Sequence, residues 1–229
     1  MKRCPGDARI YSQYLRLIGS ENLAALPRGI SLFPSEPEFY VMAAKNAREA
    51  GKRHEAIRAT EAAVRADPGL SLGYLQIADL WLEEQAPDSA LAALRRAPRA
   101  GDGVDMLRSY AIARGVRLLR SATGSALDLQ RTAVNFLVFA DSVASREDSR
   151  NYVAAGLLQL GRSELVLASR TRDCADVSRA DTAVTSAART MERGGGSSAG
   201  PAADGLKQAY DAMRAAVDNA SRVLCKPPA

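Results

Sequence analysis

A repeat of 34 residues is the strongest structural signal in this 229-residue sequence. Residues 37–70 and residues 71–104 have the same length and share residues at fixed offsets. The pairs at equal offsets are Tyr40 and Tyr74, Ala44 and Ala78, Ala47 and Trp81, Ala56 and Ala90, and Ala63 and Ala97. A period of this length indicates stacked helical units, because one unit alone cannot bury its apolar side. Only 5% of the residues are aromatic, which also favours close-packed helices over sheets.

The repeat resembles the tetratricopeptide repeat (TPR) family. In that family the fourth position is large, and the eighth and twentieth positions are small because two helices cross closely there. The residues that match are Tyr40 and Tyr74, Ala44 and Ala78, and Ala56 and Ala90. Gly51 matches the glycine often found at the turn between the helices, and Pro68 matches the proline at the end of the repeat. The second segment departs from the pattern with Gln85 at the turn and Asp102 at the end.

Residues 5–36 resemble a third, degraded repeat that is two residues short. Pro27 and Gly29 fall in its second helix. Proline removes a backbone hydrogen bond and glycine weakens a helix, so we expect this helix to be broken or kinked. The TPR-like region is therefore expected to span residues 5–104.

Residues 105–229 lose the 34-residue repeat but keep a helical pattern. Helices are expected near residues 104–121, 126–144, 147–170, 173–192 and 204–225. The last two are amphipathic, and the Gly/Ser-rich stretch within residues 193–205 predicts a flexible loop between them. The expected fold is all-α. It is a TPR-like helical-repeat solenoid with a C-terminal helical region that packs as its continuation and ends in an antiparallel helix hairpin.

The sequence has three cysteines, Cys4, Cys174 and Cys225, and their spacing forms no CxxC motif. The two hairpin arms have nearly equal length, so Cys174 at the start of one arm is expected beside Cys225 at the end of the other. One interpretation is a disulfide bond, which predicts the periplasm or cell envelope. The other is a pair of free thiols in the cytoplasm. With a disulfide, Cys4 becomes a candidate lipid-anchor cysteine and peripheral membrane association becomes possible.

The TPR resemblance implies a partner-binding groove lined by the first helix of each repeat. Carried over position by position, its residues are Glu38, Val41, Met42, Lys45, Arg48, Glu49, Leu72, Leu75, Gln76, Asp79, Leu82 and Glu83. The five apolar residues of this set are expected to be open to solvent, which favours docking of a protein partner. Two alternatives stay open. The degraded repeat or the C-terminal helices fill the groove, or the apolar residues are ordinary surface scatter.

The net charge of +5 is concentrated in one segment, residues 95–120. Its basic residues are Arg95, Arg96, Arg99, Arg108, Arg114, Arg117 and Arg120. A solvated helix face is the favoured interpretation of this basic patch, and an acidic protein partner is the next. Nucleic acid is not expected as a partner, because no aromatic residues interleave and no nucleic-acid motif is present.

The sequence shows no pattern of an active site. It has one histidine, His54, and neither a phosphate-binding loop nor a nucleophile elbow, so no catalysis, cofactor or metal is expected. The mean hydropathy is −0.17, and no apolar run is long enough to cross a membrane. The expected function is a non-enzymatic scaffold or adaptor that binds a protein segment within a larger assembly. The alternative is a periplasmic or lipid-anchored envelope subunit that stabilises or assembles a membrane complex.

Overall fold

The structure, a computed structural model, describes residues 7–18, 22–101, 103–122, 126–193 and 201–225. All regular secondary structure in these residues is helical, which confirms the all-α fold class. The chain divides into two compact units, Met1–Gly103 and Val104–Ala229.

The first unit consists of consecutive helix pairs. Its helices are α1 (Ala8–Leu17), α2 (Asn22–Leu32), α3 (Pro37–Glu49), α4 (Arg53–Ala66), α5 (Ser71–Glu83) and α6 (Pro87–Arg95). One apolar cluster joins α1, α2 and α3 through Leu15, Leu26 and Phe39. Another joins α4 and α5 through Ile57 and Leu80. The core therefore runs from each helix pair into the next, as a helical repeat requires.

The two 34-residue segments form the same turn between their helices. Gly51 and Gln85 occupy equal offsets, and both have left-handed backbones, with φ of +72° and +56°. The next amide in each segment reaches back five residues, so that Lys52 N–H donates to the Ala47 carbonyl and Ala86 N–H to the Trp81 carbonyl, both at 2.9 Å. The two repeats thus form the same turn at the same offset, although α6 is shorter than α4.

The tyrosines at the fourth repeat position form hydrogen bonds at the start of each 34-residue repeat. The Tyr40 hydroxyl donates to the carbonyl of Pro34 at 3.0 Å, and the Tyr74 hydroxyl lies 3.5 Å from the carbonyl of Pro68. Tyr74 is buried and Tyr40 is half-buried, whereas the neighbouring Phe39 is completely buried. In the first repeat, the completely buried aromatic side chain is therefore Phe39, which precedes Tyr40.

The expected break in the degraded repeat is absent, because α2 continues through Pro27 from Asn22 to Leu32. Gly29 is buried against the aromatic rings of α1 and α3, and a Cβ atom built there would lie 2.9 Å from the Tyr11 ring and 3.1 Å from the Phe39 ring. Helices in proteins owe most of their stability to tertiary packing. The close approach at Gly29 therefore offsets the hydrogen bond that Pro27 removes.

The second unit has longer helices and no 34-residue period. Its helices are α7 (Gly103–Ser121, whose first residue belongs to the first unit), α8 (Leu127–Val143), α9 (Glu147–Thr171), α10 (Cys174–Glu192) and α11 (Pro201–Leu224). The predicted bounds of these helices agree within three residues. The predicted loop 193–205 is too long, because α11 begins at Pro201, a residue type suited to the first turn of a helix. Residues 194–200 lie outside the described residues.

Two apolar clusters hold the second unit together. Leu119, Leu137 and Val153 join α7, α8 and α9. Leu158, Val184 and Val217 belong to the cluster of α9, α10 and α11. A Cβ atom at Gly115 would lie 2.8 Å from the Leu137 side chain and 3.0 Å from the Ala133 carbonyl oxygen, so glycine permits α7 and α8 to approach closely here.

The last two helices form the predicted antiparallel hairpin. Cys174 at the start of α10 is joined to Cys225 just after α11 by a disulfide bond, with an S–S distance of 2.06 Å and a Cα–Cα distance of 5.1 Å. The bond connects the first residue of one helix to the end of the other, which fixes their antiparallel direction. Within the described part of the chain, no helix is both long and apolar enough to cross a membrane.

Candidate interaction face

Helices α3 and α5 carry the twelve predicted groove residues, which we call the repeat face. An ion pair between Arg48 of α3 and Glu83 of α5 brings the two helices together on this face. Arg53 Nε lies 3.7 Å from the same Glu83 carboxylate. Predicted face residues from adjacent repeats therefore meet, and charged pairs connect them.

The degraded repeat also contributes to this face. Arg16 of α1 pairs with Glu38 of α3, and Arg16 was not among the predicted residues. A sequence signal was present, because Arg16 lies in the last turn of its helix, as Arg48 does in α3. Lys45 lies 3.8 Å from Glu49 within α3, an exposed pair that contributes little to stability.

The apolar residues of the repeat face differ widely in exposure. Leu72 is 62% exposed, and Val41 and Leu82 are half-buried. Met42 packs against the apolar cluster of α1, α2 and α3, so the degraded repeat fills part of the predicted groove. The expected solvent exposure of Leu75 is wrong, because this side chain is only 9% exposed.

The burial of Leu75 follows from the position of α5 between its neighbours. Helix α5 packs against both α4 and α6, so apolar neighbours surround most of its circumference. Gln76 and Asp79 are half-buried and Glu83 is exposed. The face that α5 leaves open is therefore narrow, with Leu72 at its start and Glu83 at its end.

The seven arginines of the predicted basic patch are divided between the two units and differ in exposure. Arg95, Arg96 and Arg99 are exposed in the first unit, and Arg96 lies 3.7 Å from Glu61. The other four arginines, Arg108, Arg114, Arg117 and Arg120, belong to the second unit. Arg117 and Arg120 are exposed, and the half-buried Arg114 lies over the Tyr110 ring at 5.0 Å.

Arg108 is not a surface residue, which corrects its placement in the patch. Its side chain is buried, and one guanidinium nitrogen donates to both carboxylate oxygens of Asp148 at 2.9 and 2.8 Å. This hydrogen bonding holds the pKa of Asp148 below its usual value of 3.8. Arg108 therefore ties α7 to the start of α9 and is not available to a partner.

A buried ion cluster in the second unit was not predicted. Glu164 of α9 is only 2% exposed, and its carboxylate lies 2.6 Å from Arg131 of α8 and 3.3 Å from Arg179 of α10. Arg179 also pairs with the buried Asp176. The hydrogen bond to Glu164 raises the pKa of Arg131 above its usual value. The only sequence signal was the i, i+3 spacing of Asp176 and Arg179 on α10.

The described residues contain no group of three or more His, Cys, Asp or Glu side chains that could hold a metal ion. His54 is exposed and lies 3.9 Å from Glu84, with its ring edge-on to Trp81. Cys4, the candidate lipid-anchor residue, lies outside the described residues.

Comparisons with known proteins identify the fold. No protein-family model matches the chain, and no curated protein sequence matches it. Among solved structures, a TPR repeats protein from Bacteroides fragilis NCTC 9343 aligns over 89% of this chain and 98% of its own, with a TM-score of 0.51 and 15% identity. The APC/C hetero-tetramer Cut9-Hcn1 aligns over 94% of this chain and 46% of its own, with a TM-score of 0.33 and 14% identity.

The first of these similarities, together with the repeated helix pairs, defines an all-α protein with a TPR-like helical-repeat fold. The resemblance seen in the sequence is thereby confirmed at the level of the fold. The second similarity is too low in TM-score to carry an argument.

Proposed function

We propose that the protein is a non-catalytic scaffold that binds a segment of a partner protein on the repeat face. The observation that carries this proposal is Leu72, a large apolar side chain that is 62% exposed on the first helix of a well-formed repeat. Exposed apolar side chains surrounded by charged ones are typical of docking surfaces. Leu82 and Val41 extend the apolar surface, and the Arg48–Glu83 pair gives it a charged border.

The structure selects the substitutions that test this proposal. Leu72 and Leu82 are accessible, whereas Leu75 is buried and must stay intact to keep the fold. A variant carrying Leu72→Glu and Leu82→Glu places two charges on the repeat face. Val223→Glu is the matched control, because Val223 is 68% exposed and lies on α11 in the second unit.

Affinity capture from the native source compares the three proteins, with circular dichroism showing that each is folded. The proposal expects a partner that is captured by the wild type and by Val223→Glu but lost from the double variant. Equal capture by all three proteins would place the interface elsewhere.

The disulfide bond favours a second candidate function, an envelope subunit that stabilises or assembles a membrane complex. Disulfide bonds persist mainly in oxidising compartments such as the periplasm. The Cys174–Cys225 bond supports this location, and Cys4 stays the candidate lipid-anchor residue predicted from the sequence. Scaffolding and envelope location are compatible, since the first concerns the repeat face and the second concerns the compartment.

Alkylation of the protein under non-reducing conditions, directly from lysed cells, tests the compartment. The envelope candidate expects Cys174 and Cys225 to resist alkylation until a reductant is added. Immediate alkylation of both thiols would contradict it. A mass increase of a diacylglyceryl group on the peptide that contains Cys4 would identify the anchor.

A further inference from the structure

A long cleft lies in the second unit between α9 and α11. Its volume is about 1090 Å³, and its apolar wall includes Leu158, Leu206 and Met213. The lining residues of α9 recur at helical spacing from Asp148 to Arg162, so the cleft follows one side of α9 for roughly 20 Å. Its volume slightly exceeds the usual range for small-molecule sites, about 300–1,000 Å³, and an apolar lining is typical of them.

Gln130 of α8 lines the cleft with a buried amide whose oxygen lacks a partner. The residue is 1% exposed, and its Oε1 atom forms no hydrogen bond with the described residues. Leaving a buried polar atom unpaired is unfavourable, and such atoms are rare in folded proteins. An acceptor held in this way at the wall of a cleft is suited to an N–H or O–H group of a ligand.

Arg162 lies in the part of α9 that faces Gln130. The ion pair between Arg131 and Glu164, at 2.6 Å, places the start of α8 beside this turn of α9. The exposed Arg162 guanidinium lines the cleft and forms no ion pair or hydrogen bond with the described residues. An unpaired cation and an unpaired acceptor thus both line the cleft and make part of its wall polar.

Two other polar side chains of the lining, Asp148 and Gln159, are engaged within the protein. Asp148 is paired with Arg108 at 2.8 Å, and the Gln159 amide donates to the Leu119 carbonyl at 3.2 Å. These groups are less suited to recognise a ligand, because their hydrogen bonds hold helices together.

We propose that the cleft binds an amphipathic acid, a molecule with an extended apolar chain and a head that combines an N–H or O–H donor with an anionic group. The donor meets the Oε1 atom of Gln130, the anion meets Arg162, and the chain lies along Leu158 and Leu206. This site is in the second unit, whereas the repeat face is in the first.

Calorimetric titration of the full chain with three probes tests the two contacts of the head. The probes are N-dodecanoylglycine, dodecanoate, which lacks the N–H donor, and N-dodecanoylglycine methyl ester, which lacks the charge. We expect saturable one-to-one binding of N-dodecanoylglycine, and about tenfold weaker binding of each of the other two.

Four variants assign these differences to residues. Gln130→Leu, which replaces the amide and its unpaired oxygen with an apolar group of similar size, is expected to remove the preference over dodecanoate. Arg162→Gln is expected to remove the preference over the ester. Arg170 is an exposed arginine of α9 outside the cleft, and Arg170→Gln is expected to leave this preference unchanged. Ala209→Trp fills the cleft from an exposed position of α11 and is expected to abolish binding of all three probes.

A melting curve shows that each variant is folded. Absence of saturable binding by the wild type would overturn the proposal, as would binding that survives Ala209→Trp. Unchanged probe preferences in Gln130→Leu and Arg162→Gln would overturn the assignment of the head group.

Discussion

Gln85 adopts a backbone conformation that suits glycine better. Its φ of +56° is in the left-handed region, like the φ of +72° at Gly51 in the preceding repeat. A side chain in this region costs about 1–2 kcal/mol relative to glycine, because Cβ approaches the following carbonyl oxygen. The TPR-like turn is therefore retained in the second repeat although the residue that favours it is absent.

We predict that Gln85→Gly stabilises the protein by about 1 kcal/mol, since it relieves this contact. Gly51→Ala is expected to destabilise it by a similar amount for the opposite reason. The control is Gln13→Gly in α1, an exposed position within a helix, where glycine costs about 1 kcal/mol. Chemical denaturation measures all three, and destabilisation by Gln85→Gly would contradict the assigned turn.

Asp148 links stability to pH through its contact with Arg108. Its pKa is lowered in the folded protein from the usual value of 3.8, chiefly by the hydrogen bonds from Arg108. A carboxyl group with a lowered folded pKa stabilises the protein above its unfolded pKa. That stabilisation is lost as the pH falls below about 4 through the folded pKa.

We therefore predict that Asp148→Asn costs about 1–2 kcal/mol at pH 7, since a hydrogen-bonded charge pair is lost. The difference from the wild type should shrink between pH 5 and pH 3. Urea denaturation across this range provides the measurement, with Asp128→Asn as the control because its side chain is 98% exposed. A difference that stays constant with pH would show that ionisation of Asp148 is not involved.

The hairpin of α10 and α11 depends on the disulfide bond at its open end. The bond closes a loop with a sequence separation of 51 residues. We predict that replacing Cys174 and Cys225 with serine destabilises the protein by about 4 kcal/mol, because the unfolded chain gains loop entropy. Thermal unfolding should give the same loss for the reduced wild type. Equal stability of oxidised and reduced wild type would contradict this role.

The buried ion cluster fixes the packing of α8, α9 and α10. Glu164 is 2% exposed and contacts two arginines from different helices. We predict that Glu164→Gln costs about 1–2 kcal/mol, since it weakens the charge-assisted contacts of Glu164 with two arginines that are 43% and 46% exposed. Glu192→Gln, at the exposed end of α10, should change stability by less than about 0.5 kcal/mol. Denaturation that shows similar small effects for both variants would mean that the cluster is not needed for packing.

The helices themselves could be predicted closely, because apolar spacing and breakers are local signals. The predicted ends of α7 to α10 agree within one residue. The burial of Leu75, Arg108 and Glu164 could not be predicted, because helical periodicity shows which side of a helix is apolar but not which neighbour covers it. The continuity of α2 through Pro27 was missed for the same reason, since the packing around Gly29 is a tertiary contact.

For the molecule as a whole, the two units carry different structural features. The first carries the repeat face, with the exposed Leu72 at the start of α5 and the Arg48–Glu83 ion pair at its end. The second has a disulfide bond, a buried ion cluster and the cleft lined by Gln130. Under the proposed function, recognition of a protein segment belongs to the repeats. The 34-residue period of the sequence ends at residue 104, next to the boundary between the two units.

Photo-crosslinking in the native source examines the scaffold proposal at a single residue. A photoreactive amino acid replaces Leu72 in one variant and Val223 in the other, two exposed positions in different units. If the repeat face is the docking surface, irradiation gives a discrete adduct with a second polypeptide from position 72 and not from position 223. No adduct from position 72, or the same adducts from both positions, would contradict binding on the repeat face.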